Sequence, residues 1–349
     1  MKKILIGMSG GVDSSAAALL LLKQGYDVGG YTLKLTDDGS GAADAKSVCD
    51  KLGIPHTVID LRELFREKVM DKFAESYILG ETPNPCLYCN RFIKFGEMLD
   101  RALAMGYDGI ATGHYANVRF DEPTGRYLLI RPADRKKDQT YVLYGMTQFQ
   151  LAHTAFPLYG LEKEEVRRLA EESGLANADK PDSQDICFVP GGDYAGFIEK
   201  HTGRAFPQGD FVDTLGKVIG RHGGLIRYTI GQRKGLGVTF GKPVYVCGKN
   251  AADNTVTLGD EKELFHTELY LKDVNLISVT GLSEPMRVTA KTRYTAKEQA
   301  ATVFPEENGL VKIVFDEAVR APAAGQACVF YSGDVIVGGG TITVDSYLQ

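Results

Sequence analysis

The sequence predicts a mixed α/β protein with an N-terminal doubly wound parallel sheet, a small central domain and a C-terminal β-barrel. Two observations predict this order. Strand-like and helix-like segments alternate through the first half of the 349 residues, as in the βαβ units of a parallel sheet. Beyond about residue 200, short runs rich in valine, threonine and glycine replace the helical segments, which favours a barrel or sandwich. We expect domains at residues 1–198, 199–265 and 266–349.

The first half opens with a strand, a glycine turn and a buried helix. KKILIGM is typical of a strand, and SSAAALLLLKQG predicts a helix that ends at Gly25. Further strands are expected in YDVGGYTLKL, IPHTVIDL and YDGIATGHYANV. Further helices are expected in ADAKSVCDKLG, RELFREKVMDKFAESYIL, IKFGEMLDRALAMG and EKEEVRRLAEESG. This alternation predicts a parallel sheet with helices on both faces.

The second half contains short apolar runs bounded by turn residues. The expected strands are VYVCG, TVTLG, LYLKDVNLISV, MRVTAKTRY, LVKIVF, ACVFYSGD and VIVGGGTITV. Their number and length predict the small linking region and the barrel.

Composition indicates a globular chain of a reducing compartment. Hydrophobic residues make up 44% and charged residues 24%, as in soluble proteins. The longest clearly apolar stretch covers residues 16–22, far short of the roughly 20 residues that span a bilayer. The N-terminus does not have the pattern of a signal peptide. We therefore expect a cytoplasmic protein with no membrane partner and with its six cysteines reduced.

The charge is distributed unevenly. A net charge of −5 excludes a chain that binds nucleic acid through overall basicity. However, the segment from Thr214 to Ala252 holds seven lysines and arginines and no acidic residue. Such a segment is either a solvated basic loop or a surface that contacts a polyanion.

The strongest motif is SGGVDSS at residues 9–15, directly between the first strand and the first helix. A helix N-terminus presents unpaired N–H groups and a partial positive charge, and glycines let the backbone close around phosphate oxygens. The chain has no Walker A pattern. The motif resembles the PP-loop of the ATP pyrophosphatases, which have an adenine nucleotide alpha hydrolase-like fold and cut ATP between its α- and β-phosphates. A simple glycine turn with a serine cap is the alternative.

Longer motifs indicate which of the reactions of that superfamily this chain is expected to catalyse. They are TPNPCLYCN at 82–90, IKF at 93–95, ATGHY at 111–115, KDQTY at 137–141, DSQDICF at 182–188 and YTIGQRKGLG at 228–237. In this order they resemble the motifs of the tRNA-specific 2-thiouridylases. Arg293-Tyr294 and residues 322–331 continue the resemblance, which therefore covers essentially the whole chain.

The resemblance implies ATP-dependent 2-thiolation of the uridine at tRNA wobble position 34. ATP with Mg²⁺ would adenylate the C2 oxygen, and a persulfide on Cys187 would deliver sulfur, with Cys89 assisting its release. The implied partners are tRNAs for Lys, Glu and Gln and a sulfur-relay protein or cysteine desulfurase. Two alternatives stay open: a PP-loop enzyme that thiolates or aminates another RNA or small molecule, and a non-catalytic RNA-binding protein.

The resemblance also implies binding residues. Those for ATP are Gly7, Met8, Ser9, Gly10, Gly11, Val12, Asp13, Ser14, Leu33 and Gly113. Those for tRNA, together with Arg233 and Lys234 of the basic segment, are Asn84, Pro85, Cys86, His114, Lys137, Asp138, Gln139, Arg293, Tyr294 and Gln326. The target base would be flipped out of the anticodon stack. For His114, a structural hydrogen bond is an equal alternative.

Three features depart from the family's pattern. Leu33 stands where methionine is usual, the loop at residues 36–43 is short, and Cys86 stands where most members have aspartate. With Cys86 as a third thiol, Cys86, Cys89 and Cys187 could serve as a persulfide relay, as ligands of a 4Fe–4S cluster or as ligands of zinc. The remaining cysteines have no motif partner and are expected to be ordinary buried residues: Cys49, Cys247 and Cys328.

Overall fold

The computed structural model describes residues 2–37, 41–175, 186–237 and 241–343. The short loop at 36–43 and the motif at 182–188 are therefore described only in part. Residues 344–349 of the last predicted domain also lie outside the described residues.

Strands alternate with helices through the N-terminal region, as predicted. The strands are β1 (Lys3–Gly7), β2 (Asp27–Lys34), β3 (His56–Asp60), β4 (Gly109–Ala111), β5 (Asn117–Asp121), β6 (Arg126–Ile130) and β7 (Thr154–Ala155). A parallel sheet has the order β3–β2–β1–β4–β7. Its central strand, KILIG, is buried because a doubly covered parallel sheet needs apolar residues on both faces.

The helices of the N-terminal region include all five predicted segments. The helices are α1 (Val12–Lys23), α2 (Ala42–Leu52), α3 (Arg62–Phe65), α4 (Lys72–Ile78), α5 (Pro85–Tyr88), α6 (Met98–Ala104), α7 (Thr140–Leu143), α8 (Gln148–Ala152), α9 (Lys163–Glu172) and α10 (Tyr194–Thr202). Of these, α7, α8 and α10 were not predicted. π-Helical turns join α3 to α4 and α5 to α6. Within the described residues, none of the helices is long and apolar enough to cross a membrane.

The two C-terminal regions are built from strands. The central region has β8 (Gly209–Val212), β9 (Val218–His222), β10 (Tyr245–Asn250) and β11 (Thr255–Gly259), in the order β10–β11–β8–β9. The last region has β12 (Phe265–Leu276), β13 (Met286–Lys291), β14 (Gln299–Pro305), β15 (Val311–Arg320), β16 (Ala327–Ser332) and β17 (Val335–Thr343). Because β12 pairs with both β15 and β17, these strands close into the predicted β-barrel.

Two predicted elements differ from the structure. The strand expected across residues 107–118 stops at Ala111, because Gly113 turns against the SGGVDSS loop instead of continuing the sheet. The helix expected from Ile93 begins earlier, at Pro85, where Asn84 caps it.

The hairpin of β5 and β6 was not predicted. It extends the barrel's sheet through a pairing of Ile130 with Val335 on β17. One buried apolar cluster also contains side chains from all three regions, among them Phe73, Ile226 and Tyr331. The three regions therefore share a core.

Candidate active site

The site lies where the order of the parallel sheet reverses. The chain runs outward from β1 through β2 to β3 and then continues on the other side of β1 with β4. Ligands of such sheets bind in the crevice at the carboxyl ends of the two strands that flank the reversal. Here those ends carry residues 9–15, the predicted PP-loop, and residues 112–115.

The PP-loop is shaped by hydrogen bonds among its own residues. The Ser9 hydroxyl accepts from the Gly11 N–H at 3.3 Å, and the Ser14 hydroxyl donates to the Gly11 carbonyl at 3.0 Å. Gly10 has a φ of +75°, and a Cβ there would lie 2.9 Å from the Gly41 carbonyl oxygen. Because α1 begins after Gly11 with no capping side chain, its first-turn N–H groups are suited to bind phosphate oxygens.

The other residues predicted to bind nucleotide surround this loop. Gly7 ends β1, and Met8 follows it in a buried position. Leu33 is partly buried near the carboxyl end of β2. Gly113 approaches the loop so closely that a Cβ would lie 2.8 Å from the Ser14 backbone nitrogen. The structure therefore brings all of them to the same edge of the sheet.

Asp13 of the PP-loop is held by two side chains whose contribution sequence reasoning missed. Its carboxylate oxygens accept from Lys163 Nζ at 2.7 and 2.8 Å, and one also accepts from the Tyr115 hydroxyl at 2.9 Å. Lys163 is only 5% exposed although it is the first residue of α9. A cation that opens a helix opposes the helix dipole, and this local anomaly is the signal that could have indicated a buried partner.

His114 lies between the PP-loop and the motif cysteines. Its Nδ1 is 2.8 Å from the Thr112 hydroxyl, and its ring centroid lies 5.7 Å from that of Phe95. Burial, with a smaller effect of the Lys94 ammonium, holds the pKa of His114 well below its usual value. The imidazole is therefore neutral at physiological pH, which fits a hydrogen-bonding residue better than an ionic contact with RNA phosphate.

Two of the three motif cysteines lie in one helical turn. Asn84 accepts from the Cys86 N–H at 3.1 Å, and Pro85 takes the first helical position. Cys86 is exposed, whereas Cys89 is buried where the π-helical turn begins. Cys187 is exposed and comes from a distant part of the chain.

The three thiols act on one another electrostatically and so share one neighbourhood. Burial raises the pKa of Cys89 to about 11, with smaller effects of Lys94, which lowers it, and of Cys187 and Cys86, which raise it. Desolvation by the surrounding protein also raises the pKa of the Cys187 thiol, although the residue is partly open to solvent. Lys94 lowers the pKa of both thiols and is therefore the cation that faces them. The motif at 93–95 contained this lysine without indicating its position.

A site for a single metal ion needs several ligand side chains close together. Among the described residues, no three histidine, cysteine or acidic side chains are grouped so that they could hold a metal ion. Cys86, Cys89 and Cys187 are therefore not arranged around one ion such as zinc. Of the cysteines outside the motifs, Cys49 and Cys328 are buried as expected, and Cys247 is partly exposed.

The lead-in segment, residues 81–84, runs into the cysteine turn and is held by the other two regions. From the barrel, the Gln326 side-chain amide donates to the Thr82 carbonyl at 2.6 Å. From the central region, Lys249 Nζ donates to the Glu81 carbonyl at 3.3 Å. Burial lowers the pKa of Lys249 from 10.5 to about 8. The position of the cysteine turn thus depends on the packing of all three regions.

Several residues predicted to bind tRNA have partners inside the protein. Arg293 donates to a backbone carbonyl of the central region at 3.3 Å. The Asp138 carboxylate accepts from the Thr140 hydroxyl at 2.6 Å, and the Gln139 side-chain oxygen accepts from the Tyr115 N–H at 2.9 Å. These side chains therefore shape the walls of the site, whether or not they also contact RNA.

Tyr294 presents an aromatic ring beside the cysteine turn. It is 39% exposed and packs edge to face against Tyr141, with 6.0 Å between ring centroids. Lys137 and Cys86 both act electrostatically on its hydroxyl, which places them nearby. An exposed ring at this position is suited to stack with a nucleic-acid base.

The structure reduces the charge of the basic segment at 214–252. Pairs with carboxylates outside the segment neutralise three of its cations: Arg221 with Asp210, Arg227 with Glu199 and Lys242 with Asp260. A fourth cation, Lys249, is the buried lysine that donates to the Glu81 carbonyl of the lead-in segment. Arg233 and Lys234 are exposed, and no carboxylate of the described residues pairs with them. The available positive charge is therefore concentrated at these two residues and Lys217.

Comparison with known proteins gives matches along the chain. Three family models match it: a tRNA methyl transferase HUP domain at residues 2–191, a tRNA methyl transferase PRC-barrel domain at 195–260 and an aminomethyltransferase beta-barrel domain at 266–342. A tRNA-specific 2-thiouridylase MnmA of Clostridioides difficile (strain 630) is 52% identical over 353 residues, covering 98% of each chain. One of Acetivibrio thermocellus is 51% identical, covering 98% of this chain and 99% of the relative.

Proposed function

The chain belongs to the tRNA-specific 2-thiouridylase family, and from this we propose that it converts the wobble uridine of tRNA to 2-thiouridine with ATP as the activating substrate. One observation supports this most directly. Gly113 packs against the PP-loop, and the neighbouring His114 packs against Phe95 of the helical segment that begins at Cys89. A group that activates the base and a group that delivers sulfur to it must meet at one carbon.

The first step activates the C2 oxygen of the uridine. The oxygen attacks the α-phosphorus of ATP, the bond to the β-phosphate breaks, and pyrophosphate leaves. The PP-loop supplies backbone N–H groups and the hydroxyls of Ser9 and Ser14 to the phosphates. Mg²⁺ prefers oxygen ligands, and the Asp13 carboxylate is the loop's acidic donor for it. When bound, the ion would neutralise charge on the phosphates.

The second step transfers sulfur. The terminal sulfur of a Cys187 persulfide attacks C2, the C2–O bond breaks, and AMP leaves with the bonding electrons. The Cys89 thiolate then attacks the Cys187 sulfur, which forms a Cys89–Cys187 disulfide and leaves sulfur on C2. A thiol reductant restores both thiols. Exposure of Cys187 and burial of Cys89 agree with this division, because the first must receive sulfur from a donor and the second acts inside.

Cys86 distinguishes this relay from a 4Fe–4S cluster. In the relay it is a spare thiol, so Cys86→Ser should keep most of the wild-type turnover. A cluster ligated by the three cysteines would instead lose activity with Cys86→Ser, and protein purified without oxygen would be brown, with about four irons per chain. Iron analysis and turnover of the same anaerobic preparation therefore separate the two. The relay is the proposed chemistry, because the exposed Cys187 can receive sulfur and the buried Cys89 can resolve it.

The RNA surface proposed for the enzyme joins the exposed cations to the cysteine turn. Arg233 and Lys234 would contact backbone phosphates, which position the RNA without reading its sequence. Tyr294 would stack with a base near the target uridine. The proposed substrates are tRNAs for Lys, Glu and Gln. The sulfur would come from a relay protein or a cysteine desulfurase in the cytoplasm.

The test is a thiolation assay with defined components. Purified protein is incubated with ATP, Mg²⁺, a cysteine desulfurase with cysteine, and an unmodified tRNA transcript with a wobble uridine, and the nucleosides are analysed. We expect 2-thiouridine that depends on ATP, with AMP formed in equal amount. A transcript with cytidine at position 34 is the control. Binding of the transcript without any 2-thiouridine would favour a non-catalytic RNA-binding protein, and thiolation elsewhere would favour a different substrate.

A further inference from the structure

Asp13 of the PP-loop is connected to the segment at residues 134–139, which includes predicted tRNA contacts. The first connection runs through Tyr115. Its hydroxyl donates to Asp13 at 2.9 Å, while its backbone N–H donates to the Gln139 side chain at 2.9 Å and its carbonyl accepts from the Gln139 N–H at 3.1 Å. Gln139 thus fixes the backbone of the residue that binds Asp13.

The second connection runs through Lys163. Its ammonium donates to both oxygens of Asp13 at 2.7 and 2.8 Å, while its backbone N–H donates to the Asp134 carboxylate at 3.1 Å. The other carboxylate oxygen of Asp134 accepts from the Lys136 N–H at 3.0 Å and caps the turn at 135–137. Both connections end at the Asp13 carboxylate. One starts at Gln139 and the other at Asp134, which are the two ends of the segment.

Both connecting side chains are buried. Lys163 is 5% exposed and Tyr115 is 2% exposed. Charge-assisted hydrogen bonds in such surroundings are short and directional, so a displacement at one end changes the geometry at the other.

We propose that Lys163 and Tyr115 are positioning residues that couple the 134–139 segment to the PP-loop, so that tRNA bound at this segment tightens the binding of ATP. The proposal rests on the proposed function, because it takes residues 137–139 as part of the tRNA site. Contact with tRNA would hold the segment and, through the two connections, Asp13, so that the nucleotide binds a loop already in position. Since coupling is reciprocal, ATP would tighten the binding of tRNA by the same factor.

The test measures the affinity for a nucleotide with and without RNA. The probe is α,β-methylene-ATP, which cannot be cut between the α- and β-phosphates, and its Kd is measured alone and at a saturating concentration of unmodified tRNA transcript. In the wild type we expect the Kd to fall by about fivefold or more with tRNA, the usual lower range of coupling between sites. With Lys163→Met, the two Kd values should agree within about twofold, and Lys163→Arg should restore part of the difference.

Two further variants keep the test decisive. Tyr115→Phe removes only the hydroxyl and should reduce the coupling ratio even if Lys163→Met does not fold. Lys46→Met on α2 removes an exposed lysine that pairs with Asp50 at 2.8 Å and should keep the wild-type ratio.

The outcomes separate this proposal from the proposed function. If the wild type thiolates tRNA but its Kd for the probe is the same with and without tRNA, the coupling is wrong and the function stands. A wild-type ratio in folded Lys163→Met and Tyr115→Phe also overturns it. If the wild type binds no tRNA at all, the proposed function and the coupling are both wrong.

Discussion

The PP-loop and the cysteine turn both belong to the N-terminal region, but the chain builds them differently. The loop is formed by adjacent residues whose main hydrogen bonds join positions two to five apart. The cysteine turn carries Cys86 and Cys89, whereas Cys187 comes from a distant segment of the chain. The lead-in segment before the turn is held by the barrel and the central region. We expect changes in the other regions to disturb sulfur transfer while leaving nucleotide binding intact.

The largest expected effect separates the two sites completely. Cys89→Ala and Cys187→Ala should each abolish 2-thiouridine formation, because each removes a sulfur that the relay needs. Neither should change the Kd for ATP. Asp13→Ala should instead abolish adenylation while tRNA binding stays largely intact, because this carboxylate belongs to the nucleotide loop. Nucleoside analysis, nucleotide titration and tRNA binding measure the three effects.

The matched control for the cysteine variants is Cys247→Ser. This cysteine is partly exposed in the central region and has no place in the relay. It should retain wild-type thiolation. Full activity of Cys89→Ala, or wild-type adenylation by Asp13→Ala, would contradict the assignment of the corresponding site.

The place of residues 9–15 between a strand and a helix was predicted better than the contacts that support this loop. Residues 9–15 are contiguous, so their spacing alone predicts a phosphate loop between a strand and a helix. Lys163 lies 150 positions from Asp13 in the chain, and a lysine in a charged helix looks like a solvated residue. Only the packing of α9 against α1 brings the two together. Long-range pairs of this kind leave little trace in a local pattern.

The same reason explains the errors in the fold. The place of the β5–β6 hairpin on the barrel's sheet was missed because β17, which pairs with it through Val335 and Ile130, follows about two hundred residues later in the chain. The charge of the segment at 214–252 was overestimated because its neutralising carboxylates lie outside it, as Asp210 does for Arg221. By contrast, each barrel strand is a short apolar run bounded by turn residues. This local pattern does not depend on which strand pairs with which, and these strands were predicted well.

The second prediction concerns tRNA affinity and uses this difference between exposed and paired cations. Reversing Arg233 and Lys234 to glutamate should weaken tRNA binding and make log K less dependent on salt. The slope of log K against log salt is negative, and its magnitude should fall by about two, since each lost phosphate contact reduces it by about one. The Kd for ATP should not change. Filter binding at several salt concentrations gives the slope.

Lys242→Glu is the matched control for this prediction. Lys242 belongs to the same basic segment but pairs with Asp260 at 2.7 Å. We expect a smaller change in slope for it than for either exposed residue. Equal slopes for all variants and the wild type would mean that the segment is a solvated surface rather than an RNA contact.

The third prediction tests the hydrogen bond by which the barrel holds the lead-in segment. Gln326→Ala removes the hydrogen bond to the Thr82 carbonyl, which is 2.6 Å long. Because a neutral hydrogen bond contributes about 1 kcal/mol, we expect thiolation to fall by about fivefold with an unchanged Kd for ATP. If the Kd for tRNA rises and the single-turnover rate at saturating tRNA stays constant, Gln326 contacts RNA and does not position the lead-in segment.

The last prediction concerns stability rather than activity, and it arises at the same lead-in segment. Lys249 donates to the carbonyls of Glu81 and Tyr228 at 3.3 and 3.0 Å from a buried position. Burial lowers its pKa from 10.5 to about 8 in the folded protein. Between these two pH values the unfolded chain binds more protons than the folded one, so the free energy of unfolding rises with pH. The contribution of Lys249 to this rise is on the order of 2 kcal/mol.

Lys249→Met removes this contribution, so the wild type should gain stability relative to the variant as the pH rises from about 8 toward 10. Urea unfolding of both proteins at pH 7.5 and pH 10 gives the difference, and groups that titrate equally in both proteins cancel. The exposed Lys217→Met is the control and should follow the wild type at both pH values. A pH-independent difference between wild type and Lys249→Met would mean that this lysine remains charged in the folded protein.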